Sequence, residues 1–186
     1  MVGTFMLAFA VALSLTGTLA LSTPLIAGLT LGLVVYIIGT ISGAHINPSI
    51  TLGLWSIKKI STREAVLYIL FQFLGGILAW YVSHAVAIIP ALPVLTTWRV
   101  FWGEAMGTFF FAFGVAAVAT EKVPPAASGL VVGGSLFLGI SFASFLSNGV
   151  LNPAVALGIG SFSWLYLLAP IVGAFCGMRV FRGLSR

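Results

Sequence analysis

Ser42-Gly43-Ala44-His45-Ile46-Asn47-Pro48-Ser49 and Ser147-Asn148-Gly149-Val150-Leu151-Asn152-Pro153-Ala154 decide how this chain is read. Only three asparagines occur in 186 residues, and two of them stand directly before proline in matching surroundings. Asparagine is a favoured helix N-cap, and proline suits the first helical turn because its missing N–H would find no intrahelical partner there. Each Asn-Pro pair therefore writes a helix start. The helices that begin at these points, about 48–57 and 153–160, are too short to cross a bilayer.

The surrounding sequence is nearly all apolar. Hydrophobic residues make up 60% of the chain, charged residues 6%, and the mean hydropathy is +1.20, a surface that a water-soluble domain does not carry. No Lys, Arg, Asp or Glu falls in 1–57, 65–98, 105–120 or 123–178. Such stretches have bilayer length, and inside hydrocarbon the backbone must bond to itself, in helices or closed barrels. The runs show no strict alternation, so the expectation is an all-α membrane protein. Spanning helices are expected near 2–21, 24–43, 63–83, 99–119, 126–146 and 163–182, with breaks at Ser22-Thr23-Pro24, at Pro90 and Pro93, at Glu121-Lys122 before Pro124-Pro125, and at Gly160-Ser161. The N-terminal run has no basic flank and passes directly into a second apolar run, so it reads as a span rather than a cleaved signal.

The two halves repeat one another. Gly3-Thr4-Phe5-Met6-Leu7-Ala8-Phe9-Ala10-Val11-Ala12 aligns with Gly107-Thr108-Phe109-Phe110-Phe111-Ala112-Phe113-Gly114-Val115-Ala116 at seven positions, and at nearly the same offset Asn47-Pro48 meets Asn152-Pro153 and Leu52-Gly53 meets Leu157-Gly158. Each repeat holds three spans and one short helix. An odd number of spans inverts the second repeat relative to the first, so residues 1–186 read as a single domain of two inverted repeats, about 1–97 and 98–186. The short helices then enter from opposite faces as re-entrant half-helices and meet N-terminus to N-terminus at mid-bilayer.

Irregular backbone at that depth survives only where protein buries it or water bathes it, which points to a cavity or pore. Two helix N-termini each present unpaired N–H groups and roughly half a positive charge, so the meeting point repels cations. The amides of Asn47 and Asn152 can each use the oxygen to hold the cap and offer N–H donors to a solute oxygen. A water that accepts two such bonds is oriented against relaying a proton.

Charge sets the orientation. Lys58, Lys59 and Arg63, then Lys122, then Arg179, Arg182 and Arg186 fall on one side, and only Arg99 falls on the other, so both termini are expected in the cytoplasm of a multi-pass protein of the plasma membrane. With no basic groove and no interleaved aromatics, a nucleic-acid partner is not expected. Cys176 is the single cysteine and reads as packing, and His45 and His84 lie far apart, so neither a metal site nor a cofactor is expected. With no aspartate, three glutamates and no nucleophile beside a base, the chain does not read as an enzyme.

At the paired boxes the chain resembles the major intrinsic proteins, the aquaporin and aquaglyceroporin family. The resemblance extends to Ser42-Gly43-Ala44-His45 before the first box, Thr51-Leu52-Gly53 after it, Gln72 with Gly75, Glu104 with Gly107-Thr108-Phe109, and Pro170 with Gly173. It implies six spans and two half-helices around a pore in each subunit, homotetramers in the lipid bilayer, and passive flow of water or small neutral solutes. It implies further that His45 lies near the cytoplasmic mouth, and that Glu104 buttresses loop carbonyls beside the second half-helix. The repeat partner of Glu104 falls before Met1, so the first repeat either lacks that support or begins upstream of this chain.

Two positions depart from the family pattern. Ser49 stands where alanine is usual, so the boxes read Asn47-Pro48-Ser49 and Asn152-Pro153-Ala154. Val155 stands where an arginine usually completes an outer constriction, whose other positions fall on Ala27, Ile140 and Gly149. None of the four is charged or aromatic. The Ile140 and Val155 pair resembles plant vacuolar-membrane members, which implies urea, ammonia or hydrogen peroxide alongside water, with glycerol also open. A secondary transporter shares the inverted-repeat plan and is the competing reading. Ion coupling calls for intramembrane acids, and Glu104 is the one candidate.

Overall fold

The computed structural model describes residues 1–185, so Arg186, counted above among the cytoplasmic charges, lies outside the described residues. The described chain is helical. Its elements are α1 (Val2–Ser14), α2 (Thr23–Ser42), α3 (Pro48–Ser56), α4 (Thr62–Val86), α5 (Trp98–Ala119), one 3₁₀ turn (Pro125–Ala127) leading into α6 (Ser128–Ala143), α7 (Pro153–Gly158) and α8 (Trp164–Leu184).

Five of these, α2, α4, α5, α6 with its 3₁₀ turn, and α8, are long and apolar enough to cross a membrane. Their outer faces carry large apolar side chains in the open, among them Ile41, Leu130 and Met106 at 80%, 72% and 64% exposure, which suits a hydrocarbon solvent and not water. The first helix corrects the expected span 2–21. α1 has 13 residues, about 20 Å at 1.5 Å per residue, and stops at Ser14. The hydroxyls of Ser14 and Thr16 donate to the carbonyls of Val11 and Leu13, and Gly17 turns the chain at φ 74°. Hydroxyls that bond back to the helix compete with its continuation.

The remaining boundaries follow local chemistry. Pro24 sits in the first turn of α2, and Gly43 ends it in the left-handed region at φ 68°. α4 opens with a capping box, in which Ser61 Oγ accepts from Glu64 N–H at 3.2 Å and Ser61 N–H donates to Glu64 Oε2 at 2.8 Å. α3 starts at the Asn47 cap with Pro48 next, and α7 starts at Asn152 with Pro153 next.

Small residues bring the long helices together. α2 crosses α6 where Gly28 and Gly32 face Gly129 and Gly133, and a Cβ built on Gly28 or Gly32 would stand 2.7 or 2.8 Å from the carbonyl oxygen of Gly133 or Gly129. α5 meets α6 at Gly107 and Gly139, each placed so that a Cβ would lie 2.6 Å from the other's carbonyl oxygen. α8 lies on α5 through Gly173 and Gly177, against the backbone of Ala105 and Phe109. In a bilayer, where no hydrophobic force drives helices together, such backbone contact is what holds a bundle.

Gly133→Val is therefore expected to lower thermal stability in detergent sharply, because the obstacle is the backbone of Gly28 and no side chain can swing aside. The cost is about 3 kcal/mol or more, at or beyond the top of the usual overpacking range. Gly134→Ala, one residue along and with nothing within 4 Å, is the control and is expected to stay within about 0.5 kcal/mol of the parent. Equal melting temperatures for the two variants would contradict the crossing.

The half-helices exchange partners between the halves of the chain. α3, from the first half, packs chiefly on α8, and α7, from the second, packs chiefly on α4. The second contact is close: Gly76 of α4 lies against the Ala154 carbonyl, and a Cβ on Gly158 of α7 would stand 3.0 Å from the Gly76 carbonyl oxygen. At the far end of α3, Arg182 Nη1 donates to the Ile57 carbonyl at 2.9 Å, placing a cation at the negative end of the helix dipole.

Candidate functional site

The two N-termini meet through their own caps. Asn47 Oδ1 accepts from Ser49 N–H at 2.8 Å, while its Nδ2 donates across the junction to the Leu151 carbonyl at 2.8 Å. Asn152 Oδ1 accepts from Ala154 and Val155 N–H at 3.1 and 3.3 Å, and its Nδ2 donates to the Ile46 carbonyl at 3.1 Å. The exchange works because the residue before each asparagine is left-handed, Ile46 at φ 57° and Leu151 at φ 56°, which turns each carbonyl toward the other box. A β-branched residue at positive φ is an uncommon conformation, here held by the surrounding bonds. Thr4 Oγ donates to the same Ile46 carbonyl at 3.4 Å.

An amide nitrogen carries two hydrogens. One on each asparagine goes to the opposite half, so the sequence expectation of free donors is halved: one N–H per residue remains, and both residues line a common cavity of about 230 Å³. That cavity is also lined by Ala27, Ile140, Gly149 and Val155, so the four positions inferred for the outer constriction come together around one space. The wall is apolar apart from Thr23, His45, Ser144, Asn148 and the two box asparagines. Gly149 must be glycine on two grounds: φ is 63°, and a Cβ would lie 2.6 Å from Ser144 Oγ and 2.9 Å from the Ile140 carbonyl oxygen.

A second cavity of about 410 Å³ lies at the end that holds Lys59, Ile60, Pro125 and Ser128, and it shares His45 and Phe111 with the first. His45 thus stands between the two spaces. Its ring stacks on Tyr68 with centroids 4.5 Å apart, and Nδ1 lies 3.3 Å from Thr51 Oγ, which accepts from Gln72 Nε2 at 2.9 Å. With Gln72 donating to it, Thr51 Oγ still has its own proton and a second lone pair, so it can pair with Nδ1 of either histidine tautomer.

Glu104 is fully buried and grips the loop before the second half-helix through amide N–H groups and a hydroxyl. Oε1 accepts from Ser147 Oγ at 2.7 Å and Val150 N–H at 3.0 Å, and Oε2 accepts from Leu151 N–H at 2.7 Å. Its oxygens accept, so it fixes the loop carbonyls of Gly149 and Val150 through the N–H groups of the same peptide units. Ser49 is buried and its Oγ makes no hydrogen bond, so the cap rests on the Asn47 side chain alone. Cys176 is exposed on α8 rather than packed. His84 lies on Trp80, with centroids 3.8 Å apart, away from both cavities. Asn148, the third asparagine, also lines the outer cavity, although no sequence motif marks it.

Helical spans around two facing half-helices, with capping asparagines at the junction, define a re-entrant membrane bundle. The chain matches the major intrinsic protein family over residues 1–181 and belongs to it. Among its relatives are aquaporin AqpM of Methanothermobacter marburgensis, 30% identical over 182 residues that cover 85% of this chain and 74% of that protein. Probable aquaporin NIP7-1 of Arabidopsis thaliana is 32% identical over 205 residues, covering 100% of this chain and 74% of the other. The fold is that of the aquaglyceroporin from Plasmodium falciparum, with a TM-score of 0.70 at 23% identity over 98% of this chain and 93% of that one.

Proposed function

We propose that residues 1–186 form one channel domain of two inverted repeats that passes water and small neutral solutes passively across a membrane. The observation that carries this reading is the pair of Asn47 and Asn152 amides on one cavity, with a second cavity at the opposite end sharing His45 and Phe111 in its wall. Family membership and the aquaporin names of the relatives support water. Solutes broader than water are supported by the outer walls, because Ala27, Ile140, Gly149 and Val155 supply no cation and little bulk. Without an arginine, ion exclusion rests on the two half-helix N-termini and the remaining amide donors.

The competing transporter reading needs an acid free to titrate or bind an ion. Both oxygens of Glu104 are committed to Ser147, Val150 and Leu151, which speaks for a positioning role instead. The charge distribution supports cytoplasmic termini, and the family supports assembly as a homotetramer in the bilayer, for which the plasma membrane is the location we infer.

Stopped-flow measurements on proteoliposomes test the reading. Osmotic water flux is expected well above the lipid background, urea is expected to enter, and no proton current is expected. Vesicles that pass water but exclude urea, glycerol and ammonia would remove the broad-solute part. Water flux no faster than protein-free lipid would remove the channel itself.

A further inference from the structure

Leu92 and Asn148 stand at the outer cavity without any motif to mark them. The connection between α4 and α5, residues 87–97, has no regular secondary structure and contains Pro90 and Pro93, and of its residues only Leu92 lines the 230 Å³ cavity. Leu92 is partly buried and packs against the apolar core. One residue further on, the Pro93 carbonyl accepts from Asn148 Nδ2 at 3.1 Å, and the same nitrogen donates to Ser161 Oγ at 2.6 Å. Both amide hydrogens of Asn148 are thereby committed. Its backbone N–H donates to Tyr166 Oη at 3.0 Å, and Tyr166 and Ser161 are 1% and 0% exposed. Asn148 is thus anchored from below by buried groups, immediately before Gly149, and from that anchor it holds the connection above.

The placement has a steric consequence. Two of the four other outer walls, Ala27 and Gly149, are nearly devoid of side chain, and Ile140 and Val155 occupy the rest. Leu92 brings a branched apolar side chain, from a different part of the chain, to the same space. Resting on the reading of this cavity as the solute path, we propose that Leu92 is a size-selecting residue of the outer mouth and that Asn148 is the positioning residue that holds it there. The solutes it discriminates are neutral polar molecules larger than urea, the polyols from glycerol upward.

Proteoliposomes carrying the full chain test this through the ratio of glycerol to water permeability. Leu92→Ala is expected to raise the ratio by about threefold or more. Asn148→Ala is expected to raise it in the same direction, and the double variant is expected to go no further than Leu92→Ala alone, since a tether has no effect on selection once the side chain it places is gone. A role for Asn148 in stability alone would instead lower the melting temperature and leave the ratio unmoved, which overturns its positioning role.

Should Leu92→Ala fail to insert, Leu92→Cys in a Cys176→Ser background gives an independent reading. A bulky membrane-impermeant thiol reagent is expected to remove most of the water flux, and undiminished flux after complete labelling overturns the proposal. The two readings fail separately. Parent vesicles no faster than lipid refute the channel beneath the proposal, whereas parent vesicles that conduct while Leu92→Ala leaves the ratio unchanged refute the role of Leu92 alone.

Discussion

Glu104→Ala is expected to lose nearly all permeation and to melt far below the parent, although residue 104 does not line either cavity. The carboxyl group accepts from two buried backbone N–H groups, those of Val150 and Leu151. Alanine leaves both unpaired in a site that water does not reach. A stranded buried donor costs about 1–3 kcal/mol, so the pair costs roughly 2–6 kcal/mol, against a total stability of about 5–15 kcal/mol. The Ser147 hydroxyl loses less, because it already lies 3.2 Å from the Ala143 carbonyl.

The damage is not confined to one loop. Leu151 also offers its carbonyl to Asn47 Nδ2, so loosening residue 151 releases the cap of the opposite half-helix. Glu104→Gln separates the parts of this effect. Its oxygen can keep the Ser147 and Val150 bonds, while its nitrogen sets donor against donor at Leu151. An intermediate melting temperature is expected, measured by circular dichroism in detergent beside the water permeability of the same preparations. A glutamine variant as stable and as permeable as the parent would show that the Leu151 bond has no energetic weight.

Val155→Arg is expected to have the second large effect, on selectivity rather than stability. Val155 is in the first turn of α7, its N–H already held by Asn152 Oδ1, and its side chain lines the cavity with Ala27, Ile140 and Gly149. Ala27 and Gly149 carry almost no side chain, so the guanidinium has space to extend over them. It adds a fixed cation and five N–H donors where the walls are now apolar. Urea and glycerol permeability relative to water is expected to fall by about tenfold, equivalent to roughly 1.4 kcal/mol of added barrier. A solute panel that does not narrow would place the selecting step elsewhere along the path.

Much of this was legible in the residues because the signals were local. Asn47-Pro48 and Asn152-Pro153 write caps within two residues of themselves, and α3 and α7 begin there. Charge-free runs marked the five long spans for the same reason. The first span failed because an apolar run says how far a helix can extend and not where it stops. Ser14, Thr16 and Gly17 end α1 through side-chain bonds and a positive φ that hydropathy does not register.

The cross-bonding of the boxes was not legible at all. It depends on left-handed backbone at Ile46 and Leu151, residue types whose ordinary preference is the opposite. The four outer positions were inferred from family register, and their convergence on one cavity is a three-dimensional fact. Asn148 gave no sequence signal beyond its rarity, since its partners Pro93, Ser161 and Tyr166 lie on three different segments. Rarity was the available clue: a third asparagine in so apolar a chain had to bond to something.

The exchange of half-helix partners imposes an order in time. α3 is made early, yet the helix it rests on is α8, and the guanidinium at its C-terminus comes from Arg182, 125 residues after Ile57. At about 5–20 residues per second, translation needs roughly 6–25 s to supply it. During that interval Asn47 has no Leu151 carbonyl to donate to, and the end of α3 has no cation. A nascent chain halted between the halves therefore holds unsatisfied polar backbone at the membrane, a species that ribosome-bound intermediates would expose to quality control and that the finished protein never displays.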